Sequence, residues 1–206
     1  MAGVVKVFHS WRCVSDAVVA ALSEPTTDPF VRPILVAPGN AQSRSLLQSL
    51  ARRHGIAAGI DTTTPLGLRE RLEEDLLGIK RENDPWQPGP LALRICRIIE
   101  NNSPGFEVVS AHLEASRRQG VPRATWTTAR QAADAICALA RDSHDVLNAW
   151  ADGATPTTHQ GDTDLAGDPL DPARAWWAPL WRTLLAEPCH VPDPVSRHQL
   201  LVDAIL

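Results

Sequence analysis

The chain contains no tyrosine, and aromatic residues make up only 5% of it. Most of that small share is tryptophan, seven residues against three phenylalanines. Its four cysteines, Cys13, Cys96, Cys137 and Cys189, form no C-x-x-C pair. Thiols so far apart in a chain of this size read as buried side chains of a reducing cytosol, which argues against a disulfide framework or a cysteine zinc site. No apolar run approaches the roughly 20 residues a membrane helix needs. Met1 to Ser10 is too short and too strand-like for a secretory signal. A cytoplasmic protein with no membrane partner is therefore expected. Positive charge is not in excess either. The formal net charge is −4, with 21% charged residues, so nothing draws the whole chain toward nucleic acid. Any DNA contact would be local, or shared with another chain.

Catalytic motifs are missing too. His9, His54, His112, His144, His159, His190 and His198 never fall into H-E-x-x-H, and no pair has metal-ligand spacing beside a cysteine. His9, at the end of an expected strand, reads as structural. There is no G-x-S-x-G elbow to anchor a hydrolase triad, and no G-x-G-x-x-G follows a strand. Glu73-Glu74-Asp75 reads as a solvated helix face, not as an acid–base pair. No catalytic residue, metal or cofactor is expected.

What the chain does have is Ile34-Leu35-Val36-Ala37-Pro38-Gly39-Asn40-Ala41. This reads as a buried strand running into a glycine turn, with Gln42 to His54 a helix. Strand, glycine turn and helix form the frame of a phosphate-binding loop. A working loop also needs a Lys for the β- and γ-phosphates and a Ser/Thr hydroxyl for Mg²⁺. Here Gly39 is followed by Asn40, Ala41, Gln42, Ser43 and Arg44, and no Gly-Lys-Ser/Thr occurs. The frame is that of a nucleotide-binding fold, and the chemistry is absent.

Around it, Val4 to His9 reads as a strand and Val14 to Leu22 as a helix with Ser10 as N-cap. Pro25 to Pro33 reads as a loop. Gly55 ends the helix after the glycine turn. Ile56 to Asp61 reads as a third short strand, Thr62 to Pro65 as a turn, and Pro65 as the first position of the next helix. From there the pattern is helical: Leu66 to Leu77, Leu91 to Glu100, Phe106 to Arg118, Thr125 to Arg141, Asp145 to Trp150, Arg174 to Ala186 and Ser196 to Leu206. Lys80 to Gly89 reads as a polar loop. Ala151 to Pro172, rich in Gly, Thr, Asp and Pro, cannot bury a core. Two or three strands are few for an α/β sheet, and the apolar run Leu200 to Leu206 ends without a cap. Both features read as the N-terminal piece of something longer. The tryptophans Trp176, Trp177 and Trp181 cluster on one helix, where core packing is the plainer reading and base stacking the sharper one. The basic pairs Arg52-Arg53 and Arg117-Arg118 read as solvated helix ends.

The order of these features is itself informative. Val-Phe-His-Ser near the start, Asp28-Pro29-Phe30, Ile34-Leu35-Val36, Gly39-Asn40-Ala41-Gln42, Gly55 to Asp61, Pro65, Ala132-Ala133-Asp134, Trp150 and Trp177-Ala178-Pro179-Leu180-Trp181 occur in one series. That series resembles the RecC family, the gamma subunits of bacterial exodeoxyribonuclease V. The resemblance implies the N-terminal part of such a subunit, within a domain similar to superfamily 1 helicase domain 1A that has lost its ATPase residues. The implied fold class is α/β, an incomplete P-loop-NTPase-like sheet with a large helical portion. Residues 1–65 would be the α/β core piece, 66–150 a helical insertion, 151–172 a flexible loop and 173–206 a helical return.

The resemblance also implies a role: a non-catalytic subunit of an ATP-dependent helicase–nuclease that scans the unwound strand at double-strand DNA ends. Its partners would be single-stranded DNA, a RecB-like helicase–nuclease and a RecD-like helicase. At positions that match the family pattern, Gln42 and Asp134 are the implied DNA-binding residues, on one side of the domain. A Gln amide can pair bidentately with a base edge, and an Asp can accept from an amino group. Ala37, Thr64, Glu70, Cys137 and Ser143 depart from that pattern, as does a two-residue excess between Gln42 and Gly55, which bears on whether the family's regulatory Chi sequence is read. The rival readings are an active P-loop ATPase, a small α/β module that binds a ligand or protein, and a truncated product without independent activity.

Overall fold

Two short strands and nine α-helices make up what the computed structural model describes, residues 6–24, 28, 31–101, 104–153 and 176–205. The chain divides into two compact units, Met1–Leu72 and Glu73–Leu206.

In the first unit, α1 (Trp11–Leu22) starts where Ser10 Oγ accepts from the Cys13 N–H at 3.3 Å. Strand β1 (Ile34–Val36) pairs in parallel with β2 (Asp61–Thr63), Leu35 opposite Thr62. The ladder extends by one bond at each end: Asp61 N–H to Pro33 O, 3.1 Å, and Ala37 N–H to Thr63 O, 3.0 Å. Parallel strands need a crossover, and α2 (Asn40–His54) lies between them in sequence. Gly55 closes α2 in the left-handed region, φ 80°, its N–H returning to Ala51 O at 2.8 Å. The core is thin: Val19 of α1, Leu35 and Ala37, and Leu46 and Leu50 of α2. Ser23 Oγ and His54 Nε2, 2.6 Å apart, link the C-terminal ends of α1 and α2.

Two expectations change here. Of the expected strand Val4–His9, Val4 and Val5 lie outside the described residues, and Lys6 to His9 form no strand, with Val7 86% exposed. A β-branched run with no ladder partner has nothing to satisfy its backbone. The strand expected from Ile56 instead begins at Asp61 and takes in Thr62 and Thr63. Gly59, at φ 74°, breaks the extended chain ahead of it, and the partner β1 is only three residues long.

The division between the units falls within α3 (Pro65–Leu77). The second unit continues with α4 (Pro88–Glu100), α5 (Glu107–Arg118), α6 (Ala124–Asp142), α7 (His144–Ala151), α8 (Trp177–Ala186) and α9 (Pro194–Ile205). Its spine is the packing of α4 on α6. Leu91, Ala92, Ile95, Ile98 and Ile99 face Ala129, Ala132, Ala133, Ile136 and Ala140, and the alanines let the two helices approach closely. Leu147 and Trp150 of α7 and Leu180, Trp181 and Leu184 of α8 complete the same cluster.

The expected polar loop at Lys80–Gly89 is the hub of this core. Asp84 and Trp86 are 3% and 4% exposed. Arg197 of α9 donates to Asp84 through Nη1 at 2.9 Å and Nη2 at 2.5 Å, and through Nη1 to Glu73 at 3.4 Å. Asp84 also accepts from the Trp86 N–H at 3.0 Å and from Gln87 Nε2 at 3.2 Å. The Trp86 ring packs on Trp181 at 5.6 Å and lies under the Arg94 guanidinium at 4.5 Å, while its Nε1 donates to Val191 O at 3.2 Å. Glu73, expected on a solvated face, is buried in this network. Composition alone misreads the segment, because a short polar loop whose charges find partners can sit inside a core.

Candidate nucleic-acid interface

In the first unit, the C-terminal ends of β1 and β2 both lead into helix N-termini. Gly39 is the N-cap of α2, in an extended conformation that any residue adopts (φ −168°), and no side chain caps the helix. The first intrahelical bond is Ser43 N–H to Gly39 O, 3.1 Å, so the N–H groups of Asn40, Ala41 and Gln42 precede it. No acidic residue occupies the first turn, which leaves the positive end of the helix dipole uncompensated by a carboxylate. Gln42 is exposed, and its Oε1 lies 3.1 Å from where a Cβ on Gly39 would stand. Ser43 is turned the other way: it is buried, with Oγ donating to Gly39 O at 3.3 Å. The one hydroxyl close after the turn therefore braces the turn and does not face outward.

After β2, Thr64 Oγ1 accepts from the Gly67 N–H at 3.1 Å and so caps α3. Gly67 is needed for close approach, because a Cβ there would come within 2.5 Å of Thr63 Oγ1. Both strand ends are thus polar, tight-turned and open to solvent at Gln42.

In the second unit, Asp134 stands on the exposed face of α6. Arg130, one turn earlier, donates from Nε to Asp134 Oδ2 at 3.1 Å, with both side chains about half exposed. Sequence reasoning missed Arg130, although the i,i+4 spacing was there to be read. Gln42 belongs to the first unit and Asp134 to the second.

The positions that depart from the RecC-like pattern are largely taken up by local structure. Ala37 is buried, and Thr64 is a cap. Cys137 Sγ donates to Trp86 O at 3.4 Å, and burial pushes its thiol up to about 11. Such a thiol stays protonated and inert. Ser143 stands at the N-cap of α7. The clustered tryptophans pack inward: Trp176 and Trp181 are buried, and Trp177 meets Trp150 edge-on at 6.4 Å. Among the described residues no group of His, Cys, Asp and Glu could hold a metal ion, and no helix is long and apolar enough to cross a membrane.

Residues 8–205 match the family described as RecC, N-terminal domain. The chain belongs to the RecC family. It is 29% identical over 200 residues to the RecBCD enzyme subunit RecC of Mycobacterium tuberculosis, in strains CDC 1551 and H37Rv alike. It is 26% identical over 187 residues to the same subunit of Mycolicibacterium smegmatis. These matches cover 86% of this chain but 16% and 15% of the relatives, so the chain spans about one-sixth of the length of the RecC proteins it matches.

Proposed function

We propose that this RecC-family chain is a non-catalytic, DNA-handling portion of a helicase–nuclease that acts on double-strand DNA ends in recombinational repair. In this reading it works in the cytoplasm beside a RecB-like helicase–nuclease and a RecD-like helicase. The observation that carries the reading is the α2 N-terminus. A parallel strand pair, a glycine turn and a helix provide the frame of a P-loop, yet the turn offers Asn40, Ala41 and Gln42 where Lys and a metal-binding hydroxyl would stand, and Ser43 is turned inward. Phosphoryl transfer depends on those lost contacts. What remains is a helix N-terminus with an exposed amide side chain, suited to holding a strand and not to cleaving a nucleotide. We take this as a degenerate superfamily 1 helicase domain 1A core in residues 1–65, with 66–150 inserted, 151–172 a loop and 173–206 returning as helix.

Gln42 and Asp134 are assigned to base contacts, which specify sequence, while arginines and backbone N–H groups hold phosphates, which position the strand. Isothermal calorimetry tests the first half: no specific binding of Mg-ATP is expected at micromolar concentrations. Micromolar binding abolished by altering Gly39 would overturn the non-catalytic reading. Strand-scanning assays of the assembled enzyme test the second half. Gln42→Ala should change the response to sequence more than overall DNA affinity.

A further inference from the structure

The longest stretch of this chain without a carboxylate runs from Pro29 to Ile60, and it contains the whole of α2. Residues 1–72, the first unit, carry eight Lys and Arg against five Asp and Glu, whereas the chain as a whole carries 20 against 24. The first unit is therefore basic within an acidic chain. Much of that charge stands on α2, as Arg44, Arg52 and Arg53, with His54 at its end. All three arginines are exposed, and none makes a side-chain hydrogen bond or ion pair among the described residues. His54 is engaged by Ser23.

The register of α2 puts two of these arginines on one line. Ser43, Leu46 and Leu50 are the buried residues of the helix. Arg44, Gln48 and Arg52 follow one another at four-residue intervals on the opposite, exposed side. The two arginines stand about 12 Å apart along the axis. Ala41, Ser45 and Ala51 flank the line, so a second backbone can come close. Cations near a helix C-terminus complement its dipole, which accounts for Arg52 and Arg53. Arg44 has no such reason, because it lies toward the positive end of α2. Ile56, directly after the Gly55 terminator, is 68% exposed and adds an apolar contact at the end of the stripe.

We infer that the outward face of α2 is a docking surface for an acidic helix of a partner subunit, whose carboxylates at four-residue spacing meet Arg44 and Arg52 and accept from the Gln48 amide. The inference rests on the reading above that the chain works inside a helicase–nuclease, and it names a surface by which the chain is held there. Gln42, two positions before Arg44, lies off this line. The guanidinium fork matches a carboxylate with two parallel hydrogen bonds. One exposed ion pair contributes little, but a row of two arginines and an amide fixes the register and direction of the docked helix. The absence of any carboxylate on α2 leaves nothing on that face to repel an acidic partner. Arginine beside an exposed apolar residue is the composition of a protein interface. A phosphate backbone would use the arginines and leave Ile56 in water, and α2 has no aromatic side chain on which a base could stack.

The test uses the full chain and two fluorescein-labelled, alanine-based helical peptides, one with Glu at every fourth position and one with Lys there. At low ionic strength, anisotropy should show binding of the Glu peptide and none of the Lys peptide. Added salt should weaken the complex. Arg44→Glu combined with Arg52→Glu should weaken the Glu peptide by about tenfold and create binding of the Lys peptide, which a misfolded chain could not do. Arg118→Glu, an equal charge change on the exposed side of α5, should alter Glu-peptide binding by less than about twofold. In the full-length subunit, the double reversal should lower recovery of the reconstituted helicase–nuclease on a sizing column. The docking surface is overturned if the wild-type chain fails to bind the Glu peptide, if the double reversal binds it equally, or if Arg118→Glu weakens it as much. Full recovery of the assembly with the double reversal would overturn it too. A short DNA duplex bound more tightly than the Glu peptide, and lost with the same reversal, would overturn it in favour of nucleic acid. The DNA-handling reading is judged separately, by Gln42→Ala in strand scanning.

Discussion

In the first unit, Ile34 and Val36 stand 47% and 39% exposed on either side of a buried Leu35, whereas in the second Leu91, Ala92 and Ile95 of α4 are all at 0%. Val7, Phe8, Trp11, Val31 and Ile56 extend the exposed apolar surface of the first unit. Parallel sheets are normally covered on both faces, and among the described residues one face of β1 is open. The two units are held in different ways. The first relies on local devices: the Ser10 cap, the Thr64 cap, the Gly55 terminator and a strand pairing three residues long, with about 1 kcal/mol for each cap or hydrogen bond. The second relies on a contiguous apolar cluster with an enclosed charge network at its centre. A loss in the second unit should therefore spread, and one in the first should stay local.

The largest effect is expected at Asp84. Removing one partner of a buried ion pair leaves the other charge uncompensated, at a cost of about 3–5 kcal/mol. Asp84→Ala strips Arg197 of its two-pronged partner and leaves Glu73 as its remaining acidic contact in the network. Urea unfolding followed by tryptophan fluorescence reports mostly on the second unit, since only Trp11 lies in the first. An Asp84→Ala midpoint close to wild type would remove the central role given to this network.

Acid should reveal the same network. Burial works against ionised Asp84, but the hydrogen bonds from Arg197 and the Trp86 N–H outweigh it and hold the carboxyl below its ordinary range. At Glu187 burial is likewise outweighed, by Arg94 and Arg97, whose bonds to it are both 2.9 Å. A depressed folded pKa means stability that is fully present above the ordinary carboxylate pKa of about 4 and lost as pH falls through the folded value. The second unit should hold its stability down to about pH 4 and lose it below. Asp84→Ala should flatten that loss, and an unchanged acid limb would show that other groups cause it.

Local signals were legible wherever a device is local. Ser10, Gly55 and Pro65 mark helix ends in the sequence and do so in the structure, and the apolar spacing of α4 and α6 gave both helices to within a few residues. Asp84 was not legible, because its burial depends on Arg197, 113 residues away. Glu73 was misread for the same reason. The first strand was overread, since β-branched spacing at Lys6–His9 does not reveal whether a pairing partner is within reach. Of the site, the glycine turn and its missing chemistry could be read directly. The i,i+4 partner of Asp134 could have been read as well.

Cavity-forming substitutions should give the next largest difference. Leu184 is fully enclosed and Leu46 is 4% exposed, so both are core residues by burial. The cost of Leu→Ala depends on how far the surroundings collapse, across about 2–5 kcal/mol. Leu184→Ala should fall near the top of that range, because ring and helix contacts close it in on every side. Leu46→Ala should fall near the bottom, because the thin first unit can relax. Denaturation midpoints, read by tryptophan fluorescence for the second unit and by amide hydrogen exchange for the first, make the comparison. Equal losses would mean that the first unit is as tightly packed as the second.

The smallest effect is expected at Gly39, where the comparison meets the candidate site. Its φ of −168° needs no glycine, so Gly39→Ala brings no backbone strain. Alanine is nevertheless a poorer N-cap than glycine, by about 0.5–1 kcal/mol. The new Cβ would stand 3.1 Å from Gln42 Oε1, close enough that the amide must swing aside. Gln42 is exposed and free of packing constraints, so the swing should be easy. The expected result is a stability loss of about 0.5 kcal/mol, together with a clear shift of the Gln42 side-chain amide signal in a ¹⁵N NMR spectrum. In the second unit a contact of that kind would displace packed side chains and cost far more. A loss above about 2 kcal/mol would show that the glycine turn is built as rigidly as the helical core, and that Gln42 is fixed in place before any DNA arrives.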